Sequence, residues 1–595
     1  MKQERPTHRN DSSVPARKEQ SRATAARAWS APIVPRDAAA WALAAVSGIA
    51  LSAHAQTWRA AIAQGHLTTV PQYVYEIYGN PLVGPCGHIS VNAGTWALPI
   101  ARATDAVMVE FGGTIEPVAY HGLPPTDPRF EGFFTRPNWW SAPDCAGRPG
   151  LHYGYRRDAT FGRALFRGEG PGSFLADTAL PAPGLDDGEV FTTFRSGHYE
   201  SALKPAIMSP DGSLLVWAEL TGPTVASNTS GCLYLFGPEG PRLLSRAGRP
   251  DQGAPGNADL GFLFAGAAAG PNFIAVHGFL PLMGTVGYWD GERFRRIVAD
   301  REQAPGLPDG VKYIYASMTS HQPGVNQHGM LAFGGTADFR SEFGIHPALW
   351  AGPPQATRCV FDPRNGADFV GPGIRAVSIE GPRLTGRGSV AAVFTLAGPG
   401  VTADNDTALA IHHDGEWTLI AREGDPITGD GGSPLRHIYL ANASFNRFDQ
   451  CVLFSPSSGT VPATLHLWEP GAGIRTILKR GDPVRLPPGD AVVAGINFAG
   501  GSGGQDGRSS GLGDQGIVAV TIVADLLSGG QGSAVLSANL APPCPGDWNT
   551  DGGVDGADLQ AFFTAWEAGE ADANRDGGTD GTDVEAFVTA WETGC

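Results

Sequence analysis

Cationic side chains are scarce in this 595-residue chain: 42 Lys and Arg stand against 59 Asp and Glu, a formal net charge of -17. Phosphate binding needs Lys and Arg clustered on one face, so a nucleic-acid partner is excluded. Cysteine is also sparse, with seven at 86, 145, 232, 359, 451, 544 and 595 and no Cys-x-x-Cys pair, which removes zinc-ribbon and thioredoxin-type chemistry. No apolar run reaches the roughly 20 residues of a permanent membrane helix. Nor is there a His-Glu-x-x-His pair, a phosphate-binding loop, or a Gly-x-Ser-x-Gly elbow joining a strand to a helix.

What the chain does have begins with a leader. Lys2, Arg5, Arg9, Arg17, Lys18, Arg22, Arg27 and Arg36 precede an apolar run from Ala38 to Ala53, and Ala53-His54-Ala55 supplies a small-residue cleavage triplet. The pattern predicts a signal peptide over 1–55 with a long basic n-region, and a secreted or cell-surface mature chain from Gln56. The leader carries eight basic and four acidic side chains, so losing its net +4 takes the chain from -17 to -21. Export permits disulfides. Cys544 with Cys595, which bracket the terminal segment, are the first expected pair, and Cys86 with Cys145 the second.

The last fifty residues carry a duplicated pattern. Asp547, Asn549, Asp551, Asp555 and Asp558 stand at positions 1, 3, 5, 9 and 12 of a loop with Gly552 at position 6 and Gly553 at position 7. Calcium takes six to eight oxygen ligands, and an EF-hand-type loop presents them at these positions, with a main-chain carbonyl at 7 and glycine for the turn at 6. The set returns 25 residues later as Asp572, Asn574, Asp576, Gly578, Asp580 and Asp583. Each loop precedes an apolar stripe at i, i+3, i+4, i+7: Leu559, Phe562, Phe563 and Trp566, then Val584, Phe587, Val588 and Trp591. Residues 544–595 hold twelve acids against Arg575 alone, a net -11 that opposes folding without a counter-ion. Two calcium ions cancel about four of those charges.

Aspartate at position 12, one helix per loop and the duplication make this segment resemble the type I dockerin module. The resemblance implies a small all-α calcium-dependent domain over 544–595 that docks on a cohesin-like or cell-envelope protein. In that family, positions 10 and 11 often carry Ser or Thr; here they are Gly556-Ala557 and Gly581-Thr582, which departs from the cellulosomal pattern.

Residues 56–543 are rich in Gly and Pro, with short apolar or alternating runs between turn signals, and predict a mainly β architecture. An apolar-aromatic pair, a turn and an apolar run recur at Tyr234, Trp289, Trp350, His412 and Trp468, with weaker copies at Phe111 and Phe166. Seven units of this length predict a repeat β-propeller of about seven blades. A second signal, Asn326-Gln-His-Gly329-Met-Leu-Ala332-Phe333, has degenerate copies at Asn92, Ser209, Thr385, Asn446 and Gly513. It resembles the secreted bacterial tandem NxxGxxAF repeat proteins, and the Ser209 copy resembles the turn signature of TolB-like propellers.

Asp425 and Asp482 recur at one repeat position in Gly-Asp-Pro, which suits turn formation rather than a unique catalytic acid. His412-His413-Asp414 falls on a repeat hairpin, where neighbouring strand residues point to opposite faces. The expectation is therefore a non-enzymatic binding or assembly protein, with a glycan or protein on the propeller face. The alternative is a dockerin-tethered carbohydrate-active enzyme, a polysaccharide hydrolase or lyase; Trp139, Trp140, Tyr153 and Tyr155 suit stacking on a sugar or partner, although burial in a β core is the commoner place for such aromatics.

Overall fold

The computed structural model describes Trp58 to Thr593 except 65–71, 98–101, 112, 121–133, 158–159, 169–173, 179, 186–187, 197–206, 227–229, 248–261, 271, 281–282, 315–322, 341–343, 428–433, 458–461, 488, 503–504, 509, 541–545, 547, 549–553, 570, 572 and 574–578. The predicted signal peptide, Cys544 and Cys595 lie outside the described residues. Among those described, no helix is long and apolar enough to cross a membrane.

The strands assemble into eight antiparallel sheets, the blades of an eight-bladed β-propeller. In chain order the blades occupy 72–120, 134–177, 190–246, 262–299, 312–361, 375–422, 443–479 and 489–539, with the short Pro483–Leu486 an extra edge strand on the last. Apolar clusters bridge neighbouring blades. Leu233 and Leu235 of blade 3 pack with Ile274 and Trp289 of blade 4, and Val452 and Leu465 of blade 7 with Val520 and Leu536 of blade 8. The ring closes because the N-terminal strand, Arg59–Ala63, pairs antiparallel with Gln531–Asn539 and completes blade 8.

Eight blades correct the expected seven, and the reason lies in the marker. Each aromatic marker sits on a blade's third strand and announces the hairpin to its fourth, as Trp350 does on Ile345–Gly352. Blade 8 has no such hairpin, since its fourth strand comes from the other end of the chain. Where the markers are buried they anchor a blade. Tyr234, Trp289 and Trp350 are fully buried, each worth roughly 4–6 kcal/mol at about 25 cal/mol per Å².

The Asn326 signal proves to be the turn between a blade's first and second strands. In seven blades the first turn residue donates its N–H to the fifth residue's carbonyl and accepts from the fourth: Gly84/His88, Asp144/Arg148, Ser209/Ser213, Asn326/Met330, Thr385/Ser389, Asn446/Gln450 and Gly513/Ile517. The fourth residue is left-handed throughout, from φ 59° at Asp449 to φ 98° at Gly388, which is why glycine dominates there. Asn326 Oδ1 accepts the amides of His328 and Met330 at 3.1 and 3.0 Å, and Asn446 Oδ1 repeats this. The supposed copy at Asn92 is a correction: Asn92 lies inside the strand Ile89–Ala97, and the blade 1 turn is Gly84–His88.

Candidate functional site

These turns form a belt around the propeller axis. The Cys86–Cys145 disulfide ties blade 1 to blade 2, as expected, and Cys145 N donates to Pro210 O of blade 3 at 3.3 Å. Asn326 Nδ2 of blade 5 donates to Thr385 and Gly386 carbonyls of blade 6, both at 3.2 Å. Thr385 Oγ1 and Ser389 Oγ then reach the Asp449 carboxylate of blade 7 at 2.7 and 2.9 Å. The thiols of Cys232, Cys359 and Cys451 are free.

Inside the belt runs the segment between the first and second strands of blade 8, residues 498–516. Ser510 O accepts from Val83 N of blade 1, Gly507 O from Met208 N of blade 3, and Gly501 O from Phe445 N of blade 7. Gln505 Nε2 donates to Leu384 O of blade 6 at 2.8 Å, and a Cβ on Gly324 of blade 5 would lie 2.9 Å from Arg508 Nη2. Blades 1 and 5, and 3 and 7, face each other across an eight-bladed ring. A short segment can touch both pairs only on the axis, so 498–516 fills the centre of the propeller.

The axial segment contains two Gly-x-Ser-x-Gly strings, at 500–504 and 507–511, and neither leads into a helix. Ser502 is fully buried, and its hydroxyl donates to Asp506 Oδ1 at 2.6 Å. Burial pushes Asp514 up to about 7, against the opposing Arg447 charge. A further polar group beside the belt joins Ser389, His413 and Asp449. Ser389 Oγ lies 2.7 Å from His413 Nδ1 but donates its single proton to Asp449, and Ser389 is 2% exposed. A hydroxyl so committed is a structural tie rather than a nucleophile.

The other residues singled out from sequence are placed as follows. Asp482 Oδ2 accepts Lys479 N at 2.8 Å and its carbonyl accepts Val493 N, while Asp425 takes Leu435 N in the same way. Glu302 does this in blade 5, accepting Ala299 N through Oε2 and Tyr313 N through its carbonyl. His412 and His413 lie on Thr407–His413, with Asp414 and Gly415 both left-handed in the turn; at Asp290-Gly291 only the glycine is. Tyr155 is buried in the blade 2 core, donating to Asp177 Oδ1 at 2.5 Å, and so is withdrawn from sugar stacking.

In the terminal segment, helices α1 (Gly556–Glu567) and α2 (Gly581–Thr593) follow the two loops. Of the twelve proposed ligands, Asp547, Asn549, Asp551, Gly553, Asp572, Asn574, Asp576 and Gly578 lie outside the described residues. The remaining four form two matched pairs. Asp558 Oδ2 accepts Asp555 N at 2.9 Å, and Asp583 Oδ2 accepts Asp580 N at 2.8 Å. Asp555 Oδ1 and Asp580 Oδ1 in turn cap α1 and α2 through the amides of Ala557 and Thr582. Asp558 and Asp583 are fully buried. Two buried carboxylates, in a segment of net -11, fit a hard cation; such charges need a positive partner to be retained.

The two halves interlock by exchange. Trp566 Nε1 of α1 donates to Asp580 O of the second loop at 3.3 Å, and Trp591 Nε1 of α2 donates to Asp555 O of the first at 2.8 Å. Between them Phe562 and Phe587 stack with centroids 4.0 Å apart and planes 3° from parallel, and Trp548 meets Phe562 edge-on. A groove of about 490 Å³ runs along the outer face of α1, lined by Ala557, Gln560, Ala561, Thr564, Ala565 and Ala568.

Residues 265–548, blades 4 to 8, match a family described as "Family of unknown function (DUF7453)". No curated protein matches the chain. Among solved structures, the β-propeller domain of the Trilobed protease from Pyrococcus furiosus is 9% identical, covering 68% of this chain and 95% of that one at a TM-score of 0.30. Prolyl oligopeptidase B from Galerina marginata is 7% identical over 78% of this chain, which spans 55% of that enzyme, at a TM-score of 0.36. An oligogalacturonate lyase in complex with manganese is 10% identical, covering 78% of this chain and 99% of that one, at a TM-score of 0.30. At these scores the likenesses carry no argument about activity, and the propeller rests on its own strand pairing.

Proposed function

We propose that this is a secreted or surface-attached, non-enzymatic binding and assembly protein, an eight-bladed propeller carried on a calcium-dependent, dockerin-like attachment module over 544–595. The observation that carries the reading is the exchange of tryptophan hydrogen bonds between the two loop-helix halves. Each helix is tied to the main chain of the opposite loop, so the groove on α1 keeps its shape only while both loops keep theirs. Two calcium ions, one in each set of Asp and Asn ligands, supply that constraint and cancel about four of the excess negative charges. The docking partner is a cohesin-like or envelope protein. With Gly556-Ala557 and Gly581-Thr582 at the ends of the helices, the small-residue groove recognises it mainly by shape.

The filled axis supports a binding role for the propeller. A substrate entering along it would meet residues 498–516 hydrogen-bonded to blades 1, 3, 6 and 7, so a glycan or protein partner is expected on the outer faces. The test is calcium-dependent capture of the full mature chain by an envelope fraction, with Asp558→Asn and Asp583→Asn as controls. Capture lost on chelation and in either variant supports the reading; capture indifferent to calcium sinks it. Reducing-end release from a polysaccharide, abolished by one acidic substitution, would replace the binding reading with the tethered enzyme.

A further inference from the structure

The axial segment ends in a turn wedged between three other blades. A Cβ on Gly513 would lie 2.6 Å from Gly84 O of blade 1, and Asp514 O accepts Arg447 N of blade 7 at 3.4 Å. The Asp514 side chain is turned onto Gly386 of blade 6. A Cβ there would lie 2.9 and 3.1 Å from the two carboxylate oxygens and 2.8 Å from Arg447 Cβ. Asp514 is 6% exposed, and its buried Oδ1 has no hydrogen-bond partner among the described residues. The same turn position holds Pro210 in blade 3 and Gln327 in blade 5, so the turn itself does not call for an acid.

A carboxylate accepts hydrogen bonds and donates none, so ionised Asp514 puts a buried charge beside an oxygen that nothing satisfies. Two charged groups face it. Arg447 of blade 7 favours ionisation, but its guanidinium carbon lies over the Phe448 ring, 4.9 Å from the centroid. Asp506 of the axial segment opposes ionisation and is fixed in place by Ser502 Oγ at 2.6 Å and Arg508 Nε at 2.7 Å. Blade 6 presents only the main chain of Gly386 at this contact. Burial outweighs Arg447 and raises the carboxyl to about 7. The neutral side chain fits the wedge, and the ionised one is better solvated outside it.

We propose that Asp514 is a proton-operated catch for the segment that fills the propeller axis. As the neutral acid it keeps the turn Gly513–Ile517 seated between blades 1, 6 and 7. On losing its proton it drives the turn outward and loosens the hydrogen bonds that residues 498–516 make to the blades, so the axis is sealed in acid and opens as pH rises toward neutral. Seated, the carboxyl titrates at about 7, and released, near 3.8. Opening therefore grows by about tenfold per pH unit between those values and levels off above them. The catch does not rest on the terminal module, and calcium is kept constant in the test so that failure there does not register here.

Three amides report on the segment directly, since Val83 N donates to Ser510 O, Met208 N to Gly507 O and Phe445 N to Gly501 O. Their hydrogen exchange in the full chain is followed across this pH window, corrected for the base-catalysed chemical rate, with amides of the blade 5 strand Leu331–Asp338 as reference. The expected result is an opening constant that climbs by up to about tenfold per pH unit and flattens near 7, while the reference amides do not follow it. Asp514→Asn, neutral at every pH, removes the climb. Arg447→Gln takes away the charge that favours ionisation and moves the flattening to higher pH, which a purely structural Asp514 would not do. Identical profiles in wild type and Asp514→Asn, or reference amides that climb in step, overturn the proposal. Should Asp514→Asn fail to fold, an unmoved profile in Arg447→Gln overturns it equally.

Discussion

Trp566 and Trp591, 25 positions apart in a duplicated segment, each donate an indole N–H to the loop belonging to the other: Trp566 to Asp580 O at 3.3 Å, Trp591 to Asp555 O at 2.8 Å. Neither half is complete alone. The stacked Phe562 and Phe587 lie between them and are fully buried, so loops, helices and aromatic core are expected to form in one cooperative step.

Phe587→Ala removes half of that stack. Truncating a buried aromatic costs about 3–5 kcal/mol, as much as a two-helix segment can hold. Amide hydrogen exchange over 556–593 in the full chain is expected to lose its protection, while strands such as Leu331–Asp338 keep theirs. Retained protection in the helices would show that the stack is dispensable.

Chelation of calcium should reproduce that exchange pattern without any substitution. Calorimetric titration of the chelated chain is expected to return two binding events. Asp558→Asn and Asp583→Asn should each remove one, since each takes a buried charge from one loop only. A chain that binds no calcium ends the attachment-module reading.

The Cys86–Cys145 disulfide encloses a span of 59 residues and joins the turns of blades 1 and 2. Loop-closure entropy gives it roughly 2–4 kcal/mol. Replacing both cysteines with serine should lower the denaturation midpoint accordingly and accelerate exchange in blades 1 and 2 ahead of blades 5 to 7. An unchanged midpoint would mean that the belt's hydrogen bonds suffice.

Acid lability follows from two histidines. Burial holds His152 down to about 3, with Arg163 adding to the effect, and His466 down to about 4. Unfolded, both titrate near 6.5. Between about pH 4 and 6.5 the unfolded chain therefore binds more protons, and stability from these groups falls as pH falls. Asp514 has the opposite sign. With a folded value of about 7 against 3.8, the native state binds the extra proton, and stability falls as pH rises through that window. Two groups outweigh one, so urea midpoints should climb from pH 4 to 6.5, and Asp514→Asn should make the climb steeper. A flat profile would contradict the burial of these histidines.

Deletion of residues 56–64 strips the closing strand from blade 8 and exposes the edge of Gln531–Asn539. An open edge of this length invites pairing with another chain. The truncated protein should associate, and a synthetic peptide covering Trp58–Ala63 should restore the monomer, as read by light scattering. A monomeric truncation would place the ring's stability in the belt.

Much of the propeller was legible because it repeats. Asp414-Gly415 and the Asn326 turn announce themselves through left-handed backbone that few residues tolerate, and Trp289 and Trp350 mark the third strand of each blade by size and apolarity. The eighth blade escaped since its partners, Arg59 and Ser537, are 478 positions apart, and strand pairing leaves no local trace. The axial course of 500–513 was not legible for a related reason. A Cβ on Gly500 would strike the Ala441 carbonyl, and one on Gly511 the Phe498 ring, so these glycines serve close packing on the axis rather than mobility.

By itself the sequence determined the local units: blade hairpins, the glycine-bearing turns, two oxygen-rich loops each with its apolar helix, and the acidic composition of the chain. Spacing of a few residues is enough to specify each of these, since turn chemistry and side-chain periodicity act over that range. Only the tertiary structure decided how many blades close the ring and which segment fills its centre. Those outcomes depend on backbone hydrogen bonds and charges brought together across hundreds of residues, and any strand or loop of suitable shape could have supplied them.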